Sequence, residues 1–548
     1  MKRETNQMTI PDFEQIVEQN DQTEARAAHL EAIAELVGNP YPNKFERSKI
    51  TGFNDTVTKI VNFAPIVEIK DEIAAVVAGL GERERPSPEI KEPLNEKLKA
   101  HGNVRVAGRL ATPPRTMGKA AFVHLSDGKN RLQIYVRKQD AKAVSNDTGE
   151  VLELEDSGFE LFKLLDHGDF VGVEGYLFIT NTGELSIHVE KIQFLTKAMV
   201  PMPDKMHGIE DPEIKQRQRY ADLIGSSLQV EHEGLTTREV FERRAKIIAA
   251  MRHYLEDDGY IEVETPMLTP KATGAAAKPF ETHHKALDIT LYARIAPELY
   301  LKRLTVGGFE KVFELNRNFR NEGISYKHNP EFTMLEFYCA YMDVAGMIEM
   351  CEDMLRDSVL RATGGLKVTY ENHEIDFSKF EKISMRDAIL KYVSDAEIDE
   401  SNMIGLFDEY VEPNLVQPTF IVDFPKSISP LSKASPENPA IAERFELFIN
   451  GMECANGFSE LNDPHEQYER FVDQMAERER GDEEAMILDE DYIRALAYGM
   501  PPAAGIGIGV DRIVMILTNR HSIRDVILFP HLRPERRPED TESADTGE

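Results

Sequence analysis

The sequence predicts an α+β protein of two or three domains, because 548 residues exceed what one hydrophobic core usually holds. Short alternating runs between residues 104 and 196 predict a small five-stranded barrel. From about residue 236, helical apolar spacing is combined with two pairs of strands that fold back on themselves. We expect a helical extension at 1–100, the barrel at 101–200, a linker at 201–235, a main domain at 236–533 and a disordered tail at 534–548.

The charge and composition of the chain exclude several kinds of protein. The formal net charge is -32, so most of the surface would repel a polyanion, and any nucleic-acid site must be local. No run approaches the roughly 18 to 20 apolar residues of a membrane span, and the first residues lack the apolar core of a secretion signal. The 3 cysteines form no C-x-x-C pair, which argues against a disulfide framework or a cysteine zinc site. We expect a cytoplasmic protein that does not contact a membrane.

The barrel is predicted by five segments that alternate apolar and polar residues, as half-buried strands do. They are VRVAGRL, AFVHLSD, RLQIYVR, DFVGVEGYLF and ELSIHVEKIQFL, and turns such as DGKN and NTGE separate them. An acidic segment at 140–167 lies between the third and fourth strands, where an OB-fold carries its helix. The order of elements therefore predicts an OB-fold.

One face of this barrel has the residue types that bind unpaired bases. Residues 104–139 carry eight Arg and Lys side chains against a single Asp127. The side chains expected on the outer face of the second and third strands are Phe122, His124, Arg131, Gln133, Tyr135 and Arg137. Aromatic rings, an amide and guanidinium groups can stack on bases and hydrogen-bond them. The strands alone leave open a second interpretation, a barrel with an ordinary solvated face.

Polar residues interrupt two apolar strands predicted over residues 311–338. In the first strand, one face presents Glu314, Asn316, Asn318 and Arg320. After a loop with Glu322, His328 and Asn329, the return strand presents Phe332, Met334, Glu336 and Tyr338 on one face. The two strands would display a guanidinium, a carboxylate, an aromatic ring and a phenol toward one region, although a surface hairpin with ordinary polar residues would show the same pattern.

A second strand pair is predicted over residues 443–461, because Asn450-Gly451 between apolar residues is a strong signal for a tight hairpin. Counting outward from this turn pairs Phe448 with Glu453 and Glu446 with Ala455. Glu446 and Glu453 then lie diagonally on one face, close enough to share a hard cation such as Mg2+. Simple alternation puts Asn456, Phe458 and Glu460 on the other face. If all of these residues line one pocket, the strand must bulge, and Gly457 is the position where we expect the bulge.

A third segment, GIGIGVDR at residues 505–512, is a glycine-rich strand that leads into a helix. Gly505, Gly507 and Gly509 share one strand face and allow a ligand or another backbone to approach closely. Asp511 is expected to cap the following helix, and Arg512 lies at its start. The segment lacks the dinucleotide-binding fingerprint, and the chain has no P-loop, so ATP would bind here without either phosphate loop.

Three segments in order are similar to the three motifs of class II aminoacyl-tRNA synthetases: residues 259–266, FRNE with HNPEFTMLE, and residues 505–512. The run from about residue 100 to 530 resembles the lysyl-tRNA synthetase family. That resemblance implies a mainly antiparallel sheet flanked by helices, with the barrel as the anticodon-binding domain. It also implies lysine activation by ATP with Mg2+, followed by transfer to tRNA-Lys. A homodimer through the first motif is expected, because Ile261 and Val263 need cover.

The resemblance also implies roles for individual residues. Arg320 and Arg512 are the expected catalytic residues, with Arg320 on the α-phosphate and the lysine carboxylate. The expected ATP contacts are Arg320, Glu322, His328, Asn329, Phe332, Glu446, Glu453, Gly509 and Arg512. The expected lysine contacts are Gly274, Glu298, Arg320, Glu336, Tyr338, Asn456, Phe458 and Glu460. Glu446 and Glu453 match the metal ligands, and the candidate anticodon contacts are Arg109, Phe122 and Gln133.

A physical argument supports lysine apart from the resemblance. A buried ammonium group needs an opposite charge, and Glu298 and Glu460 supply carboxylates. The sister enzymes for aspartate and asparagine share the architecture, but an acidic substrate would need a cationic pocket. Two alternatives remain: a catalytically silent RNA-binding paralogue, and a lysyl-transferase that acts on a protein lysine. Relatives of the second kind lack the barrel, which this chain has.

Overall fold

The structure is a computed structural model that describes residues 12–81, 84–203, 209, 211–228, 234–275, 277–481 and 485–534. The chain forms two compact units, residues 1–233 and residues 234–548. The tail that we expected to be disordered, residues 534–548, lies outside the described residues except for Pro534. Two helices lie within the segment that we expected to be a linker.

The described part of the first unit contains helices and short strands. The helices are α1 (Phe13–Ile16), α2 (Asp21–Val37), α3 (Val57–Val61), α4 (Ala64–Ala78), α5 (Pro88–Lys99), α6 (Ser157–Lys163), α7 (Pro212–Arg217) and α8 (Arg219–Leu228). The strands are β1 (Val104–Leu110), β2 (Arg115–Met117), β3 (Ala120–Ser126), β4 (Arg131–Arg137), β5 (Lys142–Ala143), β6 (Phe170–Ile179) and β7 (Leu185–Thr196).

The strands of the first unit close into a barrel. Their order is β1-β6-β7-β4-β3-β2, β5 pairs with β7, and β1 also pairs with β3 to close the sheet. Alternate residues such as Val106, Val123 and Ile134 fill the interior. Helix α6 lies between the third and fourth long strands. The five predicted strands and the OB-fold are confirmed.

The described part of the second unit contains the larger sheet. Its helices are α9 (Thr237–Asp257), α10 (Glu298–Val306), α11 (Val344–Thr363), α12 (Met385–Tyr392), α13 (Met403–Tyr410), α14 (Pro464–Glu479), α15 (Glu490–Ala497) and α16 (Val510–Thr518). Its strands are β8 (Ile261–Glu262), β9 (Leu268–Thr269), β10 (Glu281–His284), β11 (Ile289–Ala293), β12 (Lys311–Phe319), β13 (Glu331–Ala340), β14 (Lys367–Tyr370), β15 (His373–Asp376), β16 (Glu381–Ser384), β17 (Thr419–Pro425), β18 (Ile441–Ile449), β19 (Met452–Ser459) and β20 (Ala503–Gly509).

The main sheet has the strand order β16-β17-β18-β19-β20-β13-β12-β8. Its outermost pairs, β16 with β17 and β12 with β8, are parallel, and its other pairs are antiparallel. Helices α9, α11 and α16 pack on the sheet and contribute Ile247, Met354 and Val514 to a core shared with Phe337 and Ile506. A mainly antiparallel sheet flanked by helices is therefore confirmed.

The strand similar to the first motif is shorter than its sequence suggests. Only Ile261–Glu262 and Leu268–Thr269 are paired, in β8 and β9. Pro266 lies between them and has no amide hydrogen to donate to a ladder. The proline thus limits this segment to short edge pairings.

Two expectations from composition can be compared with the described residues. No helix among them is both long and apolar enough to cross a membrane. Cys339, Cys351 and Cys454 are buried free thiols.

Candidate active site

The polar residues of strands β12 and β13 are buried in the main sheet. Glu314 pairs directly with Glu336, and Asn318 with Phe332. Glu314, Asn318 and Glu336 are all buried, which excludes the surface-hairpin interpretation. Arg294 neutralises Glu314 at 2.6 Å, whereas Glu336 has no ion pair with any residue that the structure describes. Burial raises the pKa of Glu336 to about 8.

Arg320 lies at the end of this polar face beside unsatisfied polar atoms. Its guanidinium carbon is 5.1 Å from the centroid of the Phe332 ring. Among the described residues, Arg320 Nε, Asn318 Oδ1 and Asn329 Oδ1 are buried without a hydrogen-bond partner. Buried polar atoms without partners are costly, so this region is suited to a polar ligand.

The tight hairpin between β18 and β19 is confirmed, and its register corrects two of our expectations. Asn450 and Gly451 have φ values of 48° and 65°, and Phe448 pairs with Glu453 as predicted. Glu446, however, pairs with Asn456 instead of Ala455, because the ladder shifts between Leu447 and Phe448. The bulge is therefore at Cys454 and not at Gly457.

Gly457 has a different reason to be glycine. A Cβ there would lie 2.7 Å from the Phe445 ring and 2.8 Å from the Gly505 carbonyl oxygen. The extra residue at Cys454 reverses the alternation that follows it. As a result Glu446, Glu453, Asn456, Phe458 and Glu460 share one face, the arrangement that a single site requires.

Glu446 and Glu453 lie on the same face at the hairpin end of this site. Burial, together with the charge of Glu453, raises the pKa of Glu446 to about 7, and Arg444 opposes this rise from 2.5 Å. Asn456 Nδ2 also donates to Glu446 at 3.4 Å. Neither Arg444 nor its ion pair was predicted. Two carboxylates in this setting fit a hard divalent cation, which would relieve their repulsion.

A cavity of about 290 Å³ adjoins the two carboxylates. Its polar lining consists of Lys327, His328, Asp408, Glu412, Arg444, Glu446, Glu453 and Arg512. Arg512 Nη1 lies 3.6 Å from Glu453 Oε2, and its Nη2 lies 3.4 Å from His328 Nε2. Burial and the charge of Arg512 lower the pKa of His328, which favours its neutral form. The loop after β12 and the start of α16 thus meet at one cavity.

Gly509, as expected, lies at the start of helix α16, but Asp511 does not cap it. Asp511 is buried, accepts a hydrogen bond from the Thr333 amide at 2.7 Å and pairs with Arg244 at 2.6 Å. Its side chain therefore ties α16 to β13 and α9. The capping expectation was wrong because the partners of Asp511 are distant in sequence.

A second group of buried charges surrounds Phe458 and Tyr338. Lys302 Nζ lies 2.6 Å from Glu298 Oε1, 2.5 Å from Glu460 Oε2 and 5.1 Å from the centroid of the Phe458 ring. Lys302 and Glu460 are fully buried, and Glu460 Oε1 has no hydrogen-bond partner among the described residues. Lys302 was not predicted as a site residue, although its position one helical turn after Glu298 is a recognisable ion-pair spacing.

Glycines leave the space for this pocket. A Cβ at Gly505 would overlap the Tyr338 ring and Glu460 Oε1, so only glycine fits at this position of the strand. Gly274 has a φ of +101°, and a Cβ on it would lie 3.3 Å from the Ala296 carbonyl oxygen, near the start of α10. The site residues predicted around Glu460 therefore do lie close together.

The predicted outer face of the barrel carries an aromatic cluster. Phe122 and Tyr135 pair across β3 and β4, with ring centroids 4.9 Å apart. Tyr135 also approaches Phe178 and His188 at 5.7 Å and 5.2 Å. These rings are half-buried, which leaves surface on which bases could stack.

The polar groups of this face differ partly from the prediction. Gln133 donates to Glu184 at 2.8 Å and accepts a hydrogen bond from Ser186. The Arg109 side chain makes contacts within the barrel unit. It donates a hydrogen bond to the Gly168 carbonyl at 3.0 Å and lies over the Phe170 ring, 4.4 Å from its centroid. Arg115 is the arginine that pairs with Phe122 in the strand register, and it is exposed.

Comparison with known proteins agrees with this architecture. Residues 211–533 match the model for class II tRNA synthetases (D, K and N), and residues 104–195 match the model for an OB-fold nucleic acid binding domain. The barrel and the glycine-rich catalytic sheet together define a class II aminoacyl-tRNA synthetase.

Three similar proteins indicate which family within this class the chain belongs to. The chain is 43% identical over 565 aligned positions to the lysine–tRNA ligase of Aeromonas hydrophila, which covers 97% of this chain and 100% of that protein. It is 50% identical over 464 positions to the lysine–tRNA ligase of Dichelobacter nodosus (80% and 89%). The heat-inducible enzyme of Escherichia coli is 49% identical over 460 positions (79% and 87%). The chain belongs to the lysine–tRNA ligase family, and neither of the two alternative interpretations is favoured.

Proposed function

We propose that this chain activates L-lysine with ATP to form lysyl-adenylate and then transfers the lysyl group to the 3' end of tRNA-Lys. The observation that carries this proposal is the cluster of buried carboxylates around Glu460, which lies in the same unit as Arg320 and the cavity at Arg512. An amino acid with a cationic side chain fits such a pocket, because the buried carboxylates need an opposite charge.

The first reaction joins the lysine carboxylate to the α-phosphorus of ATP and releases pyrophosphate. No protein nucleophile is required, so the enzyme contributes alignment and stabilisation of negative charge. Arg320 would hold the α-phosphate and the lysine carboxylate, and Phe332 and Arg512 would enclose the adenine. Glu322, His328 and Asn329 would contact the nucleotide from the loop after β12.

Mg2+ is the metal that we propose for the two carboxylates of the hairpin. Glu446 and Glu453 would hold it, and ATP phosphates would complete its coordination, as is usual for this ion. Among the described residues, no group of three or more His, Cys, Asp or Glu side chains forms a metal site by itself. When bound, the ion supplies charge neutralisation at the phosphates.

Selection of lysine rests on where the carboxylates lie. Glu460 and Glu336, with the Tyr338 hydroxyl, would contact the ε-ammonium group, and Phe458 would pack against the aliphatic chain. Glu298 and Gly274 would contact the α-ammonium group, and Asn456 would contact the carboxylate. Aspartate would place a carboxylate among carboxylates, and a neutral amide would leave their charge uncompensated.

The transfer step requires tRNA, which we propose is bound through the barrel. Phe122 would stack on an anticodon base and Gln133 would hydrogen-bond one. Arg109 remains a candidate contact to the phosphate backbone, and the basic balance of residues 104–139 would favour release of counterions.

We also propose a cytoplasmic homodimer. Ile261, Met267 and Leu268 are exposed near the edge strand β8, as expected of residues that a second copy covers. Val263, by contrast, packs within its own chain against the cluster of Leu301, Val312 and Tyr338, so our expectation that it needs a partner is not supported.

The test of this function is lysine-dependent exchange of pyrophosphate into ATP, followed by charging of tRNA-Lys. We expect exchange with lysine and none with aspartate or asparagine. Absence of exchange with every amino acid would favour a silent paralogue. Exchange without charging of tRNA would favour transfer to a protein lysine.

A further inference from the structure

A buried lysine of the chain itself lies in the proposed amino-acid pocket. Lys302 is on helix α10, and its ammonium group touches Glu298 on the same helix and Glu460 just beyond strand β19. Although burial favours the neutral amine, these two carboxylates raise the pKa of Lys302 above its usual value. The side chain is therefore a permanent cation inside the site.

The contact with Lys302 uses one oxygen of Glu460 and leaves the other available. Both oxygens are buried, but only Oε2 forms an ion pair, 2.5 Å from Nζ, whereas Oε1 has neither an ion pair nor a hydrogen-bond partner among the described residues. Oε1 lies next to the Tyr338 ring, in the space that Gly505 leaves open. Lys302 thus fixes which oxygen of Glu460 can receive a ligand.

The buried charges of the pocket are also close to balance. Glu298, Glu336 and Glu460 are three carboxylates, and Lys302 and Arg320 are two cations that act on them. The neighbouring Glu314 is already compensated by Arg294. When all three carboxylates are ionised, one net negative charge remains, and the net positive charge of free lysine matches it. Without Lys302 the excess would double, and protonation of a carboxylate would offset it.

We propose that Lys302 is a positioning and specificity-determining residue of the amino-acid pocket. It keeps Glu460 ionised and turned so that one oxygen faces the substrate ammonium group, and it sets the pocket charge to the value that one dibasic amino acid neutralises. This inference rests on the proposed function, since it assumes that the pocket binds lysine.

The physical basis is the competition between burial and the ion pair. Burial raises the pKa of Glu460, Glu298 adds to that rise, and Lys302 opposes it from 2.5 Å. Among the described residues, the other titratable groups that interact with Glu460 are Tyr338 on β13 and Tyr492 on α15. Neither tyrosine supplies a positive charge. If Lys302 is removed, Glu460 becomes a neutral acid that donates a hydrogen bond, which suits a neutral polar side chain.

The experiment compares Lys302→Met with the wild type in pyrophosphate exchange, with lysine and with 6-hydroxynorleucine as substrates. We expect the preference for lysine, measured as the ratio of kcat/KM values, to fall at least tenfold at pH 7.5, with the KM for ATP unchanged. In the wild type we expect the lysine KM to fall as the pH rises. In Lys302→Met this fall should occur at higher pH. Arg303→Met is the matched control, because it removes a cation from the same helix that pairs with Asp489.

A double variant separates this role from folding. Lys302→Met with Glu460→Gln removes both charges of this ion pair and leaves only Glu298 without its lysine partner. The shift of the pH profile should disappear because Glu460 no longer titrates. A Lys302→Met enzyme with wild-type preference would overturn the inference, as would equal losses for both substrates together with a lowered Tm. An upward pH shift retained in the double variant would also contradict it. If the wild type shows no exchange with lysine, the proposed function itself fails.

Discussion

Glu460 is the residue on which the proposed selection of lysine depends most directly. We expect Glu460→Gln to raise the KM for lysine roughly ten- to hundredfold, because a hydrogen bond to a charged group contributes about 1.5–3 kcal/mol. The KM for ATP should stay within about twofold, since the nucleotide cavity is lined by other residues. Steady-state pyrophosphate exchange measures both constants. Glu469→Gln, an exposed change on helix α14, is the control, and an unchanged lysine KM for Glu460→Gln would refute the role of this carboxylate.

The protonation of Glu336 gives a second prediction at the residue scale. Burial, with the charges of Glu298 and Glu314, raises its pKa to about 8. A carboxyl group with a raised pKa is neutral below that pH, so it attracts an ammonium group only as the pH rises. We expect the lysine KM to decrease between pH 7 and pH 8.5 while the ATP KM changes little. A lysine KM that is constant over this range would show that Glu336 does not titrate there.

Single residues were predictable from sequence where their chemistry or local spacing was sufficient. Glu298 and Glu460 were identified as carboxylates for an ammonium group, and the structure shows both in one buried cluster. Lys302 was missed because its contact with Glu460 joins two elements 158 positions apart, a distance that no local pattern reports. The partners of Asp511 were missed for the same reason.

At the scale of elements, the hairpin of β18 and β19 has one feature that local sequence predicts and one that depends on residues distant in sequence. The Asn450-Gly451 turn was predicted correctly, because a tight turn depends on the backbone freedom of its own residues. The position of the bulge was not, because Gly457 is needed for contact with Phe445 and with strand β20. The grouping of polar residues in one site was enough to predict that the strand bulges. The position of the bulge depends on how the neighbouring strands pack, which the sequence does not show.

Strand β20 offers a matched pair of glycines for an experiment. Gly505→Ala should weaken lysine binding by about 1–3 kcal/mol or more, because its methyl group overlaps Tyr338 and Glu460 Oε1. Gly507→Ala meets the flexible end of Met334 at 2.8 Å and should have a smaller effect. The lysine KM and the Tm of both variants are the measurements. Equal effects of the two changes would contradict the placement of the pocket at Gly505.

At the scale of the whole molecule, the proposed dimer can be tested by mass. We expect sedimentation to give twice the chain mass of 62.1 kDa at micromolar concentration. Leu268→Asp should weaken the dimer at least about tenfold, because association would bury an unpaired charge. Tyr498→Asp, at a position that is 85% exposed, is the control. A monomeric wild type would contradict the proposal.

The division of the chain into two units predicts that adenylate formation and tRNA recognition can be lost separately. Phe122 and its neighbouring rings lie in the first unit, whereas Arg320, Glu446 and Glu460 lie in the second. Phe122→Ala should therefore weaken tRNA binding by about 1–3 kcal/mol, the contribution of one stacked base, and reduce tRNA charging accordingly. Pyrophosphate exchange without tRNA should stay nearly intact. Phe53→Ala removes an exposed ring elsewhere in the same unit and should change neither reaction.

The competing explanation is that Phe122 only stabilises the barrel through its contact with Tyr135. In that case its loss should lower the Tm and affect both reactions together. Charging, exchange and Tm measured on one preparation decide between the two roles. A salt titration adds a further criterion, because Arg115→Ala should lower the slope of tRNA affinity against salt if this exposed arginine meets phosphate, whereas Phe122→Ala should leave that slope unchanged.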